Sequence, residues 1–491
     1  MNTPNNLKNK SILILGLGAS GLAMVRWCVR QEAAHITVAD TRAAPPQLAW
    51  LQAHLPAVEV LHSPNLDATL IENKDAVFAS PGISPAQMAG VMNAAKSQGL
   101  WISGELGLFS DALHNLREQQ HYTPKVLAIT GTNGKTTVTS LTRHLLAWTG
   151  MSVVMAGNIG PTLLDTLSEE LDKSNLDKTE LPEAWVLELS SFQLALDIPT
   201  WEPTAATVLN ITQDHLDWHP DMADYAYAKS RIFGTQGGMV LNCDDASVMA
   251  MQPLQRVATC FGAGLPLHNG DWGIEEVNGM AWLVRRGEEN HLQRLMPVEA
   301  LRIRGRHNAT NALAALALCR AAGCSLAPML YGLREYRGEP HRVQSIGVMN
   351  GIEFFDDSKG TNVGATVAAL QGLGADRRLV VILGGDGKGQ DFHPLAAPVA
   401  QYVRAVVLIG RDAAWIHKAL IPTRVPLLHA ASLEEAVPMA YQEAKTGDAV
   451  LLSPACASWD MFQNYAHRAQ VFCDAAQALA LNHGTSLEGL E

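Results

Sequence analysis

The chain of 491 residues lacks the features that mark a membrane protein or a disulfide-stabilised one. No stretch approaches the roughly 18 consecutive apolar residues that a membrane-spanning helix needs. Residues 1–10 are polar, so we expect no leader segment. The seven cysteines form no CxxC pair, and an odd number fits a reducing compartment better than a disulfide framework. We therefore expect a cytoplasmic protein in which all seven cysteines are buried as small hydrophobic residues.

An excess of positive charge is also absent. The chain has 36 Lys and Arg residues against 48 Asp and Glu residues, a net charge of −12, which argues against a nucleic-acid binder that relies on phosphate contacts. Hydrophobic residues make up 47% of the chain, as in ordinary globular proteins, and its length exceeds the size at which a single core stops growing. We therefore expect two or three domains, with no nucleic acid and no membrane as partners.

One glycine-rich loop carries the clearest chemical signal. A strand-like run at 126–130 leads into Gly131-Thr-Asn-Gly-Lys-Thr-Thr137, which a helical pattern follows. In such a turn, backbone N–H groups and the helix N-terminus face a phosphate, Lys135 adds a positive charge, and the Thr136 hydroxyl can hold Mg²⁺. The first glycine lies closer to Gly134 than in the usual P-loop, so this loop is a shortened relative. It predicts a phosphate site rather than a bland glycine-rich turn.

A second glycine-rich turn lies near the N-terminus. A strand-like run leads into Gly16-Leu-Gly-Ala-Ser-Gly21, and the next such run, 36–39, ends at Asp40. A GxGxxG turn after a strand, with an acidic residue about twenty positions later, is typical of a Rossmann-type nucleotide site. Ser80-Pro-Gly82 follows another strand-like run, and we expect this loop to reach the same cleft.

Strand and helix patterns divide the chain into three blocks. The charged run 168–183 predicts a solvated loop, the polar segment 114–123 a linker, and the Asn-Gly turns within 265–300 predict β-hairpins. Apolar runs in the third block, as at 379–383, are typical of a parallel sheet buried on both faces. The expected fold is α/β with three domains: a Rossmann-like N-terminal domain, a P-loop-type central ATPase with a mostly parallel sheet, and a Rossmann-like C-terminal domain. The expected bounds are 1–112, 124–338 and 339–491.

Charged side chains recur in the second block where strands are expected to end. Glu188 lies inside an apolar run, and because a buried carboxylate is costly unless it meets a cation, we favour a Mg²⁺ role for it. The segment 210–219 is rich in Asp and His, which either cap turns or bind a metal or substrate. Lys229 lies in a predicted helix at 225–232, where a lone lysine ordinarily faces solvent.

Further candidate loops lie in the last part of the chain. Gly305–Asn311 contains paired amides that could either read a base or cap the helix that follows. Pro340-His-Arg342 offers a cation near a domain boundary. Three loops, 356–362, 384–388 and 453–458, each follow a strand-like run and are charged or rich in small residues. Their repetition favours an anionic or zwitterionic ligand over solvated turns.

Taken in chain order, these motifs resemble those of the Mur ligase family over essentially the whole chain. The motifs are GLGASG (16–21), SPGI (80–83), GTNGKTT (131–137), GNIG (157–160), LELSSFQL (187–194), HNATNALAALAL (307–318), PHR (340–342), DDSKGTN (356–362), GGDGK (384–388) and LSPACAS (452–458). GTNGKTT alone also fits folylpolyglutamate synthetase. GLGASG, DSKGTN and LSPACAS favour the branch of the family that adds D-glutamate.

The resemblance implies an ATP-dependent amide ligase of peptidoglycan precursor synthesis, whose partners are small-molecule substrates and which we expect to be a monomer. ATP would phosphorylate the carboxylate of UDP-N-acetylmuramoyl-L-alanine, and the amine of D-glutamate would attack the acyl phosphate. Lys135 would contact the transferred phosphate, with Thr136 and Glu188 on one Mg²⁺. His215 and Lys229 would serve a second Mg²⁺, and the matching lysine of the family is carbamylated, which turns a cation into a metal-binding anion.

The resemblance also implies the binding residues. The ATP contacts would be Gly131, Thr132, Asn133, Gly134, Lys135, Thr136, Thr137, Asn308, Asn311, Arg342 and Asp357. The UDP pocket would comprise Gly18, Asp40, Thr41, Arg42, Ser80 and Gly82, with Asn158 and Ser190 at the muramoyl part. D-glutamate would be held by Thr361, Lys388, Ser458 and Tyr465, and Lys388 is also counted among the catalytic residues with Lys135, His215 and Lys229. Tyr465 and Ala469 depart from the Phe and Gly usual in the family.

Two other functions use some of the same motifs. A nicotinamide dehydrogenase would use the GLGASG turn and Asp40, but it leaves the loop 131–137, Glu188 and the third block unexplained. A nucleotide-switched binding protein would bind or hydrolyse ATP without an amino acid. NAD binding would favour the first alternative, and ATP hydrolysis indifferent to D-glutamate would favour the second.

Overall fold

The structure is a computed structural model that describes residues 6–196, 198–216, 218–375 and 377–487. Three sheets, each flanked by helices, follow one another along the chain. This arrangement confirms the expected α/β fold. Among the helices of the described ranges, none has the length and apolar character needed to cross a bilayer.

The first sheet has five parallel strands in the order β3-β2-β1-β4-β5. The strands are β1 Ser11–Leu15, β2 His35–Asp40, β3 Glu59–His62, β4 Ala76–Ala79 and β5 Trp101–Gly104. The helices are α1 Ala19–Arg30, α2 Leu48–His54, α3 Pro85–Ser97 and α4 Glu105–Gln120. The strand order reverses between β1 and β4, since β2 and β3 lie on one side of β1 and β4 and β5 on the other. Ligands of such sheets bind at the carboxyl ends of the strands at this position.

The second sheet has nine strands in the order β14-β13-β12-β11-β10-β9-β6-β8-β7. The strands are β6 Lys125–Thr130, β7 Val153–Gly157, β8 Ala184–Glu188, β9 Ala205–Val208, β10 Gly238–Asn242, β11 Ala258–Phe261, β12 Trp272–Val277, β13 Met280–Arg286 and β14 Leu292–Pro297. The helices are α5 Lys135–Trp148, α6 Leu163–Asp177, α7 Ser191–Ala195, α8 Met222–Ser230, α9 Ala246–Met249, α10 Arg306–Ala321 and α11 Leu326–Glu335. Strands β12 to β14 pair antiparallel, which confirms the hairpins expected within 265–300, and the remaining pairs are parallel.

The third sheet has six strands in the order β15-β16-β20-β17-β18-β19, parallel except for the β15–β16 pair. The strands are β15 Gln344–Met349, β16 Ile352–Asp356, β17 Leu379–Gly384, β18 Val403–Ile409, β19 Leu427–His429 and β20 Ala449–Leu452. The helices are α12 Val363–Gly374, α13 Ala396–Tyr402, α14 Ala413–Leu420, α15 Leu433–Glu443 and α16 Tyr465–Asn482.

The first two sheets share hydrophobic packing. Helix α4 leaves the first sheet and places Phe109 edge-on against Trp185 of β8, with ring centroids 5.2 Å apart. Leu196 of the second domain packs in turn with buried residues around the first sheet. A Cβ added at Gly104 would lie 2.4 Å from Leu196 Cδ1, so the leucine packs directly against this glycine. The junction between these two domains is therefore closely fitted.

Several local expectations are wrong. Helix α4 runs through residue 112 and continues to Gln120, so residues 114–120 are not a linker. Helix α6 occupies most of the stretch 168–183 expected to be a loop, because Leu163, Leu164 and Leu167 form a buried apolar face despite the charged residues between and after them. The domain bounds themselves remain predictions.

The expected burial of the cysteines is correct in part. Cys28, Cys319, Cys324 and Cys456 are buried, whereas Cys243 is exposed and Cys260 and Cys473 are half-buried. Cys243 directly follows the last residue of β10, where the chain turns into solvent. The number of cysteines in the sequence carries no information on such positions.

Candidate functional site

A cleft of about 430 Å³ lies between the second and third sheets. The loops that follow β6, β7, β9, β16 and β17 contribute to it, together with the last residue of β8, so it lies at the carboxyl ends of parallel strands. It brings together many of the residues that the sequence nominates: Thr132, Asn133, Gly134, Lys135, Thr136, Thr137, Asn158, Glu188, His215, Asn308, Asn311, Arg342, Asp357, Thr361, Lys388 and Tyr465. Ser190 and Ser458 do not line it.

The glycine-rich loop is wound tightly around the start of α5. Gly134 has a φ of 82°, and a Cβ there would lie 2.8 Å from Asn311 Oδ1, so the position requires glycine on both grounds. Lys135 Nζ donates to the carbonyl oxygens of Gly131 and Thr132, each at 2.8 Å. Burial lowers the pKa of Lys135, opposed by the charges of Glu188 and Asp214. Because Lys135 bonds only neutral carbonyl oxygens of its own loop, its charge is available to a phosphate that enters the cleft.

Asn210 braces this loop from the neighbouring strand end. Its Oδ1 accepts from Asn133 N at 2.8 Å, and its Nδ2 donates to Asn133 O at 3.1 Å. The sequence placed Asn210 in an Asp- and His-rich segment but gave it no role of its own. Asp217 of that segment lies outside the described residues.

Glu188 and Thr136 form the best-suited cation position. Thr136 Oγ1 donates to Glu188 Oε2 at 2.8 Å, and Asn158 Nδ2 donates to Glu188 Oε1 at 2.9 Å. Glu188 is only 2% exposed at the end of β8. Within the described ranges, no three His, Cys, Asp or Glu side chains are grouped closely enough to hold a metal ion. Mg²⁺ does not need such a cage, since it usually takes one or two carboxylates together with substrate phosphates and water. A carboxylate and a hydroxyl beside a phosphate loop therefore fit Mg²⁺.

Lys229 lies directly beneath the phosphate loop rather than in solvent. It is 1% exposed, and its Nζ donates to Gly131 O at 3.0 Å and to Thr130 Oγ1 at 3.2 Å. The Nζ atom also lies 4.7 Å from the centre of the Tyr225 ring. Burial and the nearby charge of Lys135 bring the pKa of Lys229 well below its usual range. The ordinary interpretation of a lone helical lysine as a surface residue is wrong here.

His215 lies on the cleft side of the same region. Its Nε2 atom is 3.5 Å from Asp214 Oδ2, and its backbone φ is 55°. Burial lowers the pKa of His215, Asp214 raises it, and the positive charges of Lys135, Lys229 and Lys388 lower it further. The structure thus gathers His215 and the two lysines around one loop.

The third domain reaches the phosphate loop through two side chains. Arg342 Nη2 donates to Thr136 Oγ1 at 2.6 Å, and Asn362 Nδ2 donates to Asn133 Oδ1 at 3.1 Å. Asp357 lies behind Arg342, accepting from Ser453 Oγ at 2.7 Å. Burial raises the pKa of Asp357 to about 7, although Ser453 and Arg342 lower it. The second and third domains therefore meet at the site where a nucleotide phosphate would bind.

Two residues of the third domain were missed by the sequence analysis. Arg468 is fully buried, and its guanidinium donates to Ser358 O at 2.7 Å and to Cys456 O at 3.1 Å. It thereby ties together the two loops around 356–362 and 453–458. Lys359 lines the cleft with its Nζ 5.2 Å from the centre of the Tyr465 ring. Neither residue carries a local signal, because an arginine on a helix and a lysine in a loop ordinarily face water.

The paired amides expected to precede a helix lie inside the first turns of α10 and do not cap it. The N-cap is Gly305, with no side-chain cap bond. Asn308 Nδ2 donates to Arg304 O at 2.8 Å, and Asn311 Nδ2 donates to Asn308 Oδ1 at 3.1 Å. Both amides line the cleft, and their role in reading a base stays a prediction. Ser190, by contrast, has a clear capping role, since it forms a capping box with Gln193 at α7.

The candidate UDP residues lie separately, at the carboxyl ends of the first sheet. Asp40 Oδ2 accepts from Leu17 N at 2.7 Å, while Oδ1 accepts from Arg42 N and Nε, each at 2.9 Å. Burial acts to raise the pKa of Asp40, but these bonds outweigh it and leave the pKa lowered. A Cβ at Gly18 would lie 3.9 Å from Ser80 Oγ, so the loop around Ser80 reaches the glycine turn as expected. The neighbouring candidates are Thr41, which is half-buried, and Gly82, with nothing within 4 Å of its Cβ position.

Family models match all three parts of the chain. The model described as Mur ligase middle domain matches residues 129–319. The model described as Mur ligase, glutamate ligase domain matches 341–456, and the one described as Mur ligase MurD-like, N-terminal domain matches 10–104.

Close relatives match the chain from end to end. The UDP-N-acetylmuramoylalanine--D-glutamate ligase of Albidiferax ferrireducens is 60% identical, covering 99% of this chain and 99% of its own length. The enzyme of the same name from Ralstonia nicotianae is 52% identical, covering 98% of this chain and 99% of its own.

Solved structures share the fold at low sequence identity. The crystal structure of UDP-N-acetylmuramate-alanine ligase MurC from Thermotoga maritima superposes with a TM-score of 0.56 at 19% identity, covering 96% of this chain and 100% of its own. The MurF ligase of the same organism, in complex with ADP, gives a TM-score of 0.57 at 17% identity, covering 97% and 96%. These two similarities concern the fold alone.

Proposed function

The chain belongs to the Mur ligase family, and on that basis we propose that it is an ATP-dependent ligase that joins D-glutamate to UDP-N-acetylmuramoyl-L-alanine in peptidoglycan precursor synthesis. One observation carries the proposal beyond family membership. The phosphate loop of the second domain faces Thr361, Lys388 and Tyr465 of the third domain across a single cleft. An ATP site and a site for a dianionic amino acid would thus share one cavity, with the UDP residues on the adjoining domain.

The reaction needs two group transfers. In the first, an oxygen of the alanyl carboxylate takes the γ-phosphoryl group of ATP, and ADP leaves. In the second, the neutral amine of D-glutamate attacks the carbonyl carbon of the acyl phosphate, the C–O bond to phosphate breaks, and the amine loses a proton. Alignment and charge neutralisation account for most of the catalysis in phosphoryl transfer. Lys135 and Arg342 both line the cleft, and Arg342 reaches Thr136, so these two cations would neutralise the transferred phosphate.

Thr136 and Glu188 would hold one Mg²⁺ ion. Bound there, the ion would supply neutralisation of the β- and γ-phosphate charge. Asn158 would keep the Glu188 carboxylate turned toward Thr136, because it donates to the other carboxylate oxygen. The fit rests on hard oxygen donors beside the phosphate loop.

His215 and a carbamylated Lys229 would hold a second Mg²⁺ ion. The surroundings of Lys229 support the modification, since its Nζ is bonded only to the neutral oxygens of Thr130 and Gly131 in a buried position. A carbamate at the same atom would place an anion beneath the loop, in the same region as His215 and Glu188. The ion there would serve to orient the acyl acceptor.

D-glutamate would bind through Thr361, Lys388, Ser458 and Tyr465. Lys388 is exposed at the cleft and free to meet a side-chain carboxylate. Ser458 is 3% exposed, so it would act through a small movement of its loop or through its backbone. A single chain carries every residue that this account uses, which agrees with a monomer.

Substrate omission tests the proposed function. Purified protein with ATP and Mg²⁺ is expected to release phosphate only when UDP-N-acetylmuramoyl-L-alanine and D-glutamate are both present. Phosphate release that persists without D-glutamate would favour a nucleotide switch. Faster release with a diamino acid in place of D-glutamate would contradict the amino-acid assignment.

A further inference from the structure

A buried carboxylate connects the first two domains at a point that neither nucleotide site explains. Glu105 is the first residue of α4 and is 2% exposed. Its Oε1 accepts from Leu164 N at 3.2 Å, and it also interacts with the N–H of Leu163 and the side chain of Ser20. Leu163 and Leu164 open α6 in the second domain, whereas Ser20 lies in the first turn of α1, directly within the GLGASG turn.

The two helices that Glu105 joins begin at the two ends of the substrate path. Helix α1 starts from the glycine turn assigned to the UDP moiety. Helix α6 follows the loop from Asn158, whose side chain holds Glu188 and whose backbone N–H donates to Glu188 O at 2.8 Å. A substrate that carries UDP at one end and a reacting carboxylate at the other must therefore span the distance that this contact fixes.

The helix N-terminus at α6 depends on Glu105. The N-cap residue Thr162 makes no side-chain cap bond, because its hydroxyl donates to Asp165 Oδ2 at 2.6 Å. The carboxylate that accepts from the N–H groups of Leu163 and Leu164 is therefore that of Glu105, which belongs to the first domain. Burial raises the pKa of Glu105 to about 7, against the lowering effect of Ser20 and the two N–H groups. Burying a carboxylate in these surroundings costs free energy of folding, and an apolar residue at position 105 would avoid that cost.

We propose that Glu105 is a positioning residue that holds the glycine-turn helix α1 and the helix α6 in register, so that a ligand spanning both domains meets the UDP residues and the phosphate loop at once. The inference rests on the proposed function for the nature of that spanning ligand. Exposed ion pairs join the same two helices farther along, as between Arg30 and Asp172 at 2.8 Å. The Arg30–Asp172 pair offers a matched control, because it links α1 to α6 away from both of their N-terminal turns.

Two substitutions of Glu105 separate positioning from packing. Glu105→Gln keeps an oxygen that accepts from Leu164 N, whereas Glu105→Leu keeps the volume and loses the acceptor. Asp172→Ala removes the surface pair only. Melting temperature and circular dichroism check that each variant is folded, and isothermal titration then measures three ligands on each: UDP, ADP, and the spanning substrate UDP-N-acetylmuramoyl-L-alanine.

The expected loss is confined to the ligand that spans the domains. In Glu105→Leu, affinity for UDP-N-acetylmuramoyl-L-alanine falls by about tenfold or more, as expected for a lost hydrogen bond to a charged group, while the affinities for UDP and ADP stay within about twofold of wild type. Glu105→Gln retains most of the wild-type affinity, and Asp172→Ala retains all of it.

Two results would overturn the inference. Equal losses for all three ligands would mean that Glu105 acts only on stability, and no loss for the spanning ligand in Glu105→Leu would mean that the contact positions nothing. Should Glu105→Leu fail to fold, an unchanged ratio of UDP to spanning-ligand affinity in Glu105→Ala would overturn the inference in the same way.

The wild-type protein distinguishes a failure of this inference from a failure of the proposed function. If it binds the spanning substrate but does not turn over with D-glutamate, the function fails and the binding comparison still decides the role of Glu105.

Discussion

Replacing Lys135 by alanine is expected to lower kcat by on the order of a thousandfold or more. Lys135 belongs to the loop in which the transferred phosphate would lie, and its Nζ is held by two carbonyl oxygens of that loop. Removal of a preorganised charge from a partly buried site takes away stabilisation that water cannot replace. The measurement is kcat from phosphate release at saturating ATP, UDP-N-acetylmuramoyl-L-alanine and D-glutamate.

Controls separate this loss from a collapse of the loop. Lys125→Ala removes an exposed lysine from the start of the same strand β6 and is expected to leave kcat unchanged. Lys135→Met keeps the length of the side chain without its charge and is expected to be as inactive as Lys135→Ala. Retained turnover in either Lys135 variant would refute the role given to this residue.

Replacing Lys229 by alanine is expected to lower kcat by about a hundredfold or more. On the proposal that Lys229 is carbamylated, the variant would lose an anionic metal ligand beneath the phosphate loop. It would also lose the contacts of Nζ with Thr130 and Gly131. The measurement has two parts: kcat of the variant, and a carbamate carbon signal in the wild-type protein equilibrated with ¹³C-bicarbonate. Lys173→Ala, at an exposed position on α6, is the matched control.

The kcat and the carbon signal together distinguish a role of the carbamate from a role of the unmodified lysine. If Lys229→Ala is inactive and the carbon signal is absent from that variant alone, the carbamate is assigned to Lys229. An inactive variant without any carbamate signal in the wild type would leave Lys229 as an unmodified structural cation and would contradict the second Mg²⁺ site. Activity equal to wild type would contradict any role.

Much of the fold could be predicted because its strands are short apolar runs. Strands β8 and β17 are buried along their whole length, and each is evident as an apolar run, which in β8 is interrupted only by Glu188. Strand β19 was missed because its three residues are too few to form a pattern. Polar residues within α4 and α6 led to the prediction of a linker and a loop there. Each helix needs only one apolar face to pack, so its polar residues do not prevent it from forming.

The site could be predicted only where its chemistry is local in sequence. The phosphate loop is a continuous motif, so its glycines and Lys135 could be named from spacing alone. Lys229, in contrast, was chosen by resemblance, since nothing near it in sequence indicates that its helix turns inward. Arg468 and Glu105 were missed because their partners are distant in sequence, as with Glu105 and Leu164, which lie 59 residues apart. Contacts of that range are set by the assembled domains.

One isotope experiment tests the central claim, that the phosphate loop serves to activate a carboxylate for attack by D-glutamate. The protein is incubated with ATP, Mg²⁺, D-glutamate and UDP-N-acetylmuramoyl-L-alanine whose alanyl carboxylate carries ¹⁸O, and both products are analysed by mass spectrometry. The account predicts that the acceptor gains one D-glutamate residue and that each phosphate released carries one ¹⁸O atom from the carboxylate. Unlabelled phosphate, or an acceptor that gains a different amino acid in competition with D-glutamate, would contradict it.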